Sequence, residues 1–160
     1  MGKPMAKNLL RAGHSIVVCK HIDPRPVNEL VAVGAREVAS PRQVAETSDV
    51  VITMLPDSAE VEEVVLGENG LLEGAGRGKV IIDMSSIAPS TSRRLASEAE
   101  KRGVEMLDAP VSGGEVGAIQ GTLAIMVGGK ESTFSRCLDI LRSMGTVSYT
   151  HLRAHETVLD

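Results

Sequence analysis

The chain has 160 residues, 42% of them hydrophobic, with 17 Lys and Arg against 21 Asp and Glu and a formal net charge of -4. That balance leaves no basic footprint for nucleic acid, and the apolar content excludes a disordered chain and suits one domain with a sizeable core. No run of about 18 apolar residues offers a membrane span, no charged-then-apolar start marks export, and Cys19 and Cys137 stand alone without metal-ligand spacing, so a cytoplasmic protein is expected.

In chain order, Pro4 lies near the start of a helical pattern that puts Met5, Leu9 and Ala12 on one face and stops at Gly13. Residues 16–19 (IVVC) then read as a short buried strand, and 50–55 (VVITML) as the next. Asp57 and Glu60 are spaced as a capping pair ahead of Val61, Val64 and Val65, and Gly67 ends that helix. Residues 80–84 (VIIDM) form a third strand, followed by a helix opened by Pro89 and closed by Gly103, with Leu95 and Ala99 on one face. Strands at 104–107 and 123–127 and a last helix over 131–141 complete the pattern. Phe134 and Tyr149 are the only aromatic residues, so the core is built from Val, Ile, Leu, Met and Ala. Valine-rich strands alternating with helices predict parallel βαβ units with right-handed crossovers.

Composition changes after Gly145. Residues 147–157 read VSYTHLRAHET, without apolar period. These eleven residues match the translated readthrough of a common transposon-type sequencing adapter. Residues 147–160 are therefore expected to be a non-native tail, and His151, Arg153 and His155 carry no functional argument.

In an open parallel sheet, ligands bind beyond the carboxyl ends of the strands. The polar and glycine-rich stretches here sit at such ends: 20–24 after the first visible strand, 55–58 after the second, 83–86 after the third, and 108–114 after the fourth. Four loops on one edge predict a cleft. Gly2 precedes a helix, as the third glycine of G-x-G-x-x-G would, with the first two glycines and their strand upstream. Taken alone, Gly2 equally suits an ordinary helix entry.

The segments GKPMAKNL (2–9), SDVVITMLP (48–56), IDMSSI (82–87), DAPVSGG (108–114), GTL (121–123) and MVGG (126–129) resemble, in this order, the β-hydroxyacid dehydrogenases. The resemblance covers residues 1–145. Residues 66–71 and 103–108 look most like the branch that reduces tartronate semialdehyde (2-hydroxy-3-oxopropionate) to D-glycerate, and less like the 3-hydroxyisobutyrate branch. The resemblance implies an α/β fold, a Rossmann-type doubly wound parallel sheet with helices on both faces, here with its first strand missing. It implies a partial domain for NAD or NADP over 1–146, of the 6-phosphogluconate/3-hydroxyisobutyrate dehydrogenase type. The family's C-terminal helical domain is expected to be missing from this sequence, and the full-length enzyme is expected to be a homo-oligomer acting on a small hydroxy acid or semialdehyde.

The implied roles follow by position. Gly2 would lie under the cofactor's pyrophosphate, Met54, Leu55 and Pro56 would line its ribose and nicotinamide, and Ser86 would hydrogen-bond near the nicotinamide ribose. Ser112, Gly113 and Gly114 would hold the substrate carboxylate through a hydroxyl and backbone N–H groups, the charge-assisted kind of hydrogen bond. Met54 and Leu55 also suit strand core, Ser86 a helix cap, and 112–114 a tight turn. Asp83 and Asp108 read as residues that fix loops rather than transfer protons, and His14 as a turn residue.

Two departures matter for chemistry. The family's catalytic lysine, a general acid, belongs beyond the adapter-like stretch, and none of Lys79, Lys101 or Lys130 occupies its motif, so no catalytic residue is assigned and inactivity is expected of this chain. Lys20 stands 18 residues after Gly2, where an acidic residue would bind the adenosine ribose diol. Lys20, His21 and Arg25 would favour a 2′-phosphate, whereas Asp23 would restore the diol partner; both alternatives stay open.

Overall fold

The computed structural model describes residues 1–20 and 22–150. The elements run α1 (Gly2–Arg11), β1 (Val17–Cys19), α2 (Arg25–Ala32), β2 (Arg36–Val38), α3 (Pro41–Thr47), β3 (Val50–Thr53), α4 (Ser58–Leu66), α5 (Leu71–Gly74), β4 (Val80–Asp83), α6 (Pro89–Glu100), β5 (Glu105–Asp108), β6 (Val111–Ser112), α7 (Gly114–Gln120), β7 (Leu123–Gly128), α8 (Glu131–Arg142) and β8 (Gly145–Thr150).

Strands β3, β4 and β5 are parallel and in register, Val50 beside Val80 beside Glu105. All four residues of β4 are buried, which places it at the centre with helices on both faces. Val80 and Ile82 pack with Met5, Leu9, Leu107 and Leu141 on one face. Ile81 packs with Val61, Val65 and Leu95 on the other. Burying one such aliphatic side chain contributes about 1.5–3 kcal/mol, and the two clusters lock the ends of β3, β4 and β5 at a common level.

The sheet is mixed rather than wholly parallel. Strand β7 runs antiparallel to β5 and to β6, and β8 runs parallel to β7. Strands β1 and β2 form a separate parallel pair. Between that pair and β3 lies a cavity of ≈ 810 Å³ whose walls include Val17, Val18, Val50 and Ile52. A doubly wound sheet has a further strand at this point, in keeping with the expected missing first strand.

Several local expectations hold. Asp57 caps α4, its carboxylate accepting from the Ser58 N–H at 2.7 Å, and Gly67 closes that helix. Gly13 follows α1 with φ 95, a conformation that costs glycine little. Two others are corrected. Glu60 does not close a capping box: its Oε2 is buried and lacks a hydrogen-bond partner among the described residues. Ala12 lies at the end of α1, exposed, off the buried face of Met5 and Leu9.

The ordered sheet runs past the expected domain end at 146. In β8, Tyr149 stacks on Phe134 with ring centroids 4.4 Å apart and donates its hydroxyl to the Gly129 carbonyl at 2.8 Å. His151, Arg153 and His155 lie outside the described residues. No helix among the described residues is long and apolar enough to cross a membrane.

Candidate functional site

The last register row of the central sheet is polar. Thr53, Asp83 and Asp108 stand side by side at the ends of β3, β4 and β5, and each leads directly into a loop that carries predicted site residues. The Thr53 hydroxyl donates to Asp83 Oδ1 at 2.8 Å and the Ser85 N–H to the same oxygen at 3.2 Å. The Ser85 hydroxyl accepts from the Leu55 N–H at 2.9 Å. Backbone bonds from the Met84 N–H to the Thr53 carbonyl at 2.9 Å and from the Ala109 N–H to the Asp83 carbonyl at 2.8 Å carry the pairing to the loop edge.

Asp83 is fully buried, and its Oδ2 has no hydrogen-bond partner among the described residues. Burial raises its pKa against the lowering pull of its bonds from Ser85 and Thr53. Burial, reinforced by the neighbouring Asp83, pushes Asp108 up to about 6.

Met54 and Leu55 are half-buried and Pro56 is exposed. Met54, Leu55 and Gly2 all border the large cavity. Gly2 opens α1, and a Cβ built there meets nothing within 4 Å, leaving the helix terminus approachable. Ser86 is exposed beyond β4 and is not a helix cap, since α6 takes its N-cap at Ala88. Ser112 ends β6, and the bend that follows has Gly113 at φ 132 and Gly114 at φ 62. Both values lie in the region that favours glycine. Residues 112–114 are exposed; like Pro56 and Ser86, they do not line the large cavity. A smaller cavity of ≈ 280 Å³, bordered by Arg93, Val104, Met106 and Lys130, includes none of the predicted site residues.

The structure thus brings residues 54–56 and 84–86 together by hydrogen bonds and sets the third loop on the next strand end. Sequence reasoning did not single out Ser85, which makes the inter-loop bond beside the predicted Ser86. The available signal was the strand ending VIID, an acid on an otherwise apolar central strand. Among the cofactor-selecting candidates, Lys20 pairs with Glu37 at 3.3 Å, and Arg25 grips Asp23 at 2.8 Å; His21 lies outside the described residues. No group of three or more potential metal ligands occurs among the described residues.

The family profile described as the NAD binding domain of 6-phosphogluconate dehydrogenase matches residues 1–152. The chain is 49% identical over 145 residues to the 2-hydroxy-3-oxopropionate reductase of Escherichia coli, covering 91% of this chain and 49% of that protein. It is 46% identical over 145 residues to a 3-hydroxyisobutyrate dehydrogenase of Pseudomonas aeruginosa, covering 91% and 48%. A 3-hydroxyisobutyrate dehydrogenase of Mycobacterium tuberculosis, solved with L-serine, superposes with a TM-score of 0.89 at 34% identity, over 99% of this chain and 54% of that one. The chain therefore spans about half the length of the curated relatives it matches. From the strand ends to the profile match, the chain belongs to the family of NAD-binding domains typified by that of 6-phosphogluconate dehydrogenase.

Proposed function

We propose that this chain is the nucleotide-binding half of an NAD(P)-dependent 3-hydroxy acid dehydrogenase whose whole protein reduces tartronate semialdehyde to D-glycerate. The observation that carries the reading is the Leu55 N–H to Ser85 Oγ bond, which joins two strand-end loops into one wall beside the open terminus of α1. A pyrophosphate suits that terminus: Gly2 leaves room for close approach, and the unpaired N–H groups and dipole of a helix start favour negative charge.

In this reading Gly2 faces the pyrophosphate, Met54, Leu55 and Pro56 exclude water along the ribose and nicotinamide, and Ser86 donates to the ribose. When bound, the nicotinamide exchanges hydride with the carbon bearing the substrate's oxygen. Ser112 and the N–H groups of Gly113 and Gly114 grip the substrate carboxylate and orient that carbon. The polar row of Thr53, Asp83 and Asp108 keeps the three loops at one level.

No proton donor is assigned within these residues. Lys101 pairs with Glu98 at 2.9 Å and Lys130 with Glu105 at 3.1 Å, while Lys79 donates to the Ala45 and Glu46 carbonyls. On this reading the chain by itself binds nucleotide without turnover. Assignment of 147–160 to a non-native tail rests on the adapter match and is tested by sequencing the genomic locus across Gly145.

The second reading, oxidation of 3-hydroxyisobutyrate, is supported by the 46% identity to the Pseudomonas aeruginosa dehydrogenase. Assays in both directions on the chain extended at both ends from its genomic locus, reduction of tartronate semialdehyde with the reduced nucleotide and oxidation of 3-hydroxyisobutyrate with the oxidised one, separate the two. Preference for tartronate semialdehyde supports the first, preference for 3-hydroxyisobutyrate the second, and a folded enzyme inactive on both contradicts the dehydrogenase assignment.

A further inference from the structure

A buried carboxylate with one oxygen lacking a partner is costly. An apolar side chain of similar size would avoid the desolvation penalty. Asp83 occupies such a position in the fully buried β4. What it does there is legible from its bonds. Oδ1 accepts from the Thr53 hydroxyl and from the Ser85 N–H. The Ser85 hydroxyl in turn accepts from the Leu55 N–H. Asp83 thus holds Ser85 by its backbone N–H, and the Ser85 hydroxyl holds the Leu55 backbone. Thr53 and Leu55 flank Met54, so both bonds converge on the same loop from the neighbouring strand.

We propose that Asp83 is a positioning residue which, through Ser85, locks residues 54–56 to residues 84–86. This rests on the reading of those two loops as the walls of the cofactor site. Asp83 touches no reacting group. It fixes the Leu55 backbone relative to Ser86, so that two contacts to one ligand are set before the ligand arrives. Such preorganisation cuts the ordering cost of binding.

The test is amide hydrogen exchange on the intact chain, read at Leu55 and at the β4 amides of Ile81 and Ile82, in Asp83→Leu, Asp83→Asn and Ser85→Ala. Asp83→Leu and Ser85→Ala are expected to speed exchange at Leu55 by about tenfold with Ile81 and Ile82 unchanged, the scale of one local hydrogen bond. Asp83→Asn, whose amide oxygen can accept the same two bonds, is expected to restore the slow rate. Should Asp83→Leu fail to fold, Asp83→Ala takes its place in the comparison, with the same expected acceleration at Leu55. Exchange at Leu55 equal to wild type in Ser85→Ala, acceleration spread evenly over the sheet, or Asp83→Asn as fast as Asp83→Leu would overturn the proposal. NADH titration, followed by fluorescence, separates this from the function. A wild-type chain that binds NADH and a Ser85→Ala variant about tenfold weaker support both. A wild-type chain with slow Leu55 exchange but no NADH binding leaves the lock standing and contradicts the cofactor reading.

Discussion

Asp83 and Asp108 are direct register partners, neighbours in the last row of β4 and β5, and the carboxyl of Asp108 is pushed up to about 6 by burial and by the charge beside it. Two carboxyls in one row resist ionising together. The folded state therefore holds a proton on Asp108 over a range in which the unfolded chain has released it. Stability from this group is present at low pH and is lost as pH rises from near 4 through about 6. Asp108→Asn should consequently be more stable than wild type at pH 8, by roughly 2 kcal/mol after screening of the partly exposed group. The two should converge near pH 4. Denaturant midpoints at the two pH values check this, and parallel curves for the two proteins would count against the paired row.

Glycines that look alike in the sequence differ in what they allow. At Gly129, φ is +147 and an added Cβ would sit 2.5 Å from Leu107 Cδ2, a buried core atom. Gly129→Ala is expected to cost about 2–3 kcal/mol, from backbone strain and overpacking together. At Gly2 the same Cβ meets nothing within 4 Å, so Gly2→Ala should leave the melting temperature unchanged and weaken NADH binding by crowding the helix terminus. Thermal melts and cofactor titrations on the two variants separate the effects.

Lys20, just past β1, and Glu37, in the middle of β2, form an ion pair of 3.3 Å. Equilibrium titration with NADH and NADPH reads this corner. Tighter NADPH binding that is lost in Lys20→Asp assigns Lys20 to a 2′-phosphate. Tighter NADH binding that Asp23→Ala weakens assigns Asp23 to the ribose diol.

Turnover gives an independent check on the proposal that the general acid lies outside these residues. The chain as it stands should show no reduction of tartronate semialdehyde above background with either nucleotide, and measurable turnover would contradict the assignment of the proton donor outside these residues.

The fold was legible where physics leaves a coarse mark. Short apolar runs closed by Gly, Pro or Asp announced β3, β4 and β5, and Pro89 announced α6. The second strand, Arg36–Val38, left none, because two of its three residues are exposed. Nor did α7, whose seven residues include two glycines. The reversed direction of β7 was hidden because its exposed and buried positions are both apolar: Ala124 and Met126 face out, Leu123, Ile125 and Val127 in. At the site, the rule that ligands gather at strand ends found the right loops. It could not choose between Ser85 and Ser86, since only the folded loop after β4 buries Ser85 against Asp83 and Leu55 and leaves Ser86 exposed.

Backbone amide NMR of the chain titrated with NADH tests the central claim most directly. The account predicts saturable shifts confined to Gly2, Leu55, Ser86 and their immediate neighbours. Shifts clustered instead around Arg93 and Lys130, or none at saturating nucleotide, would contradict it.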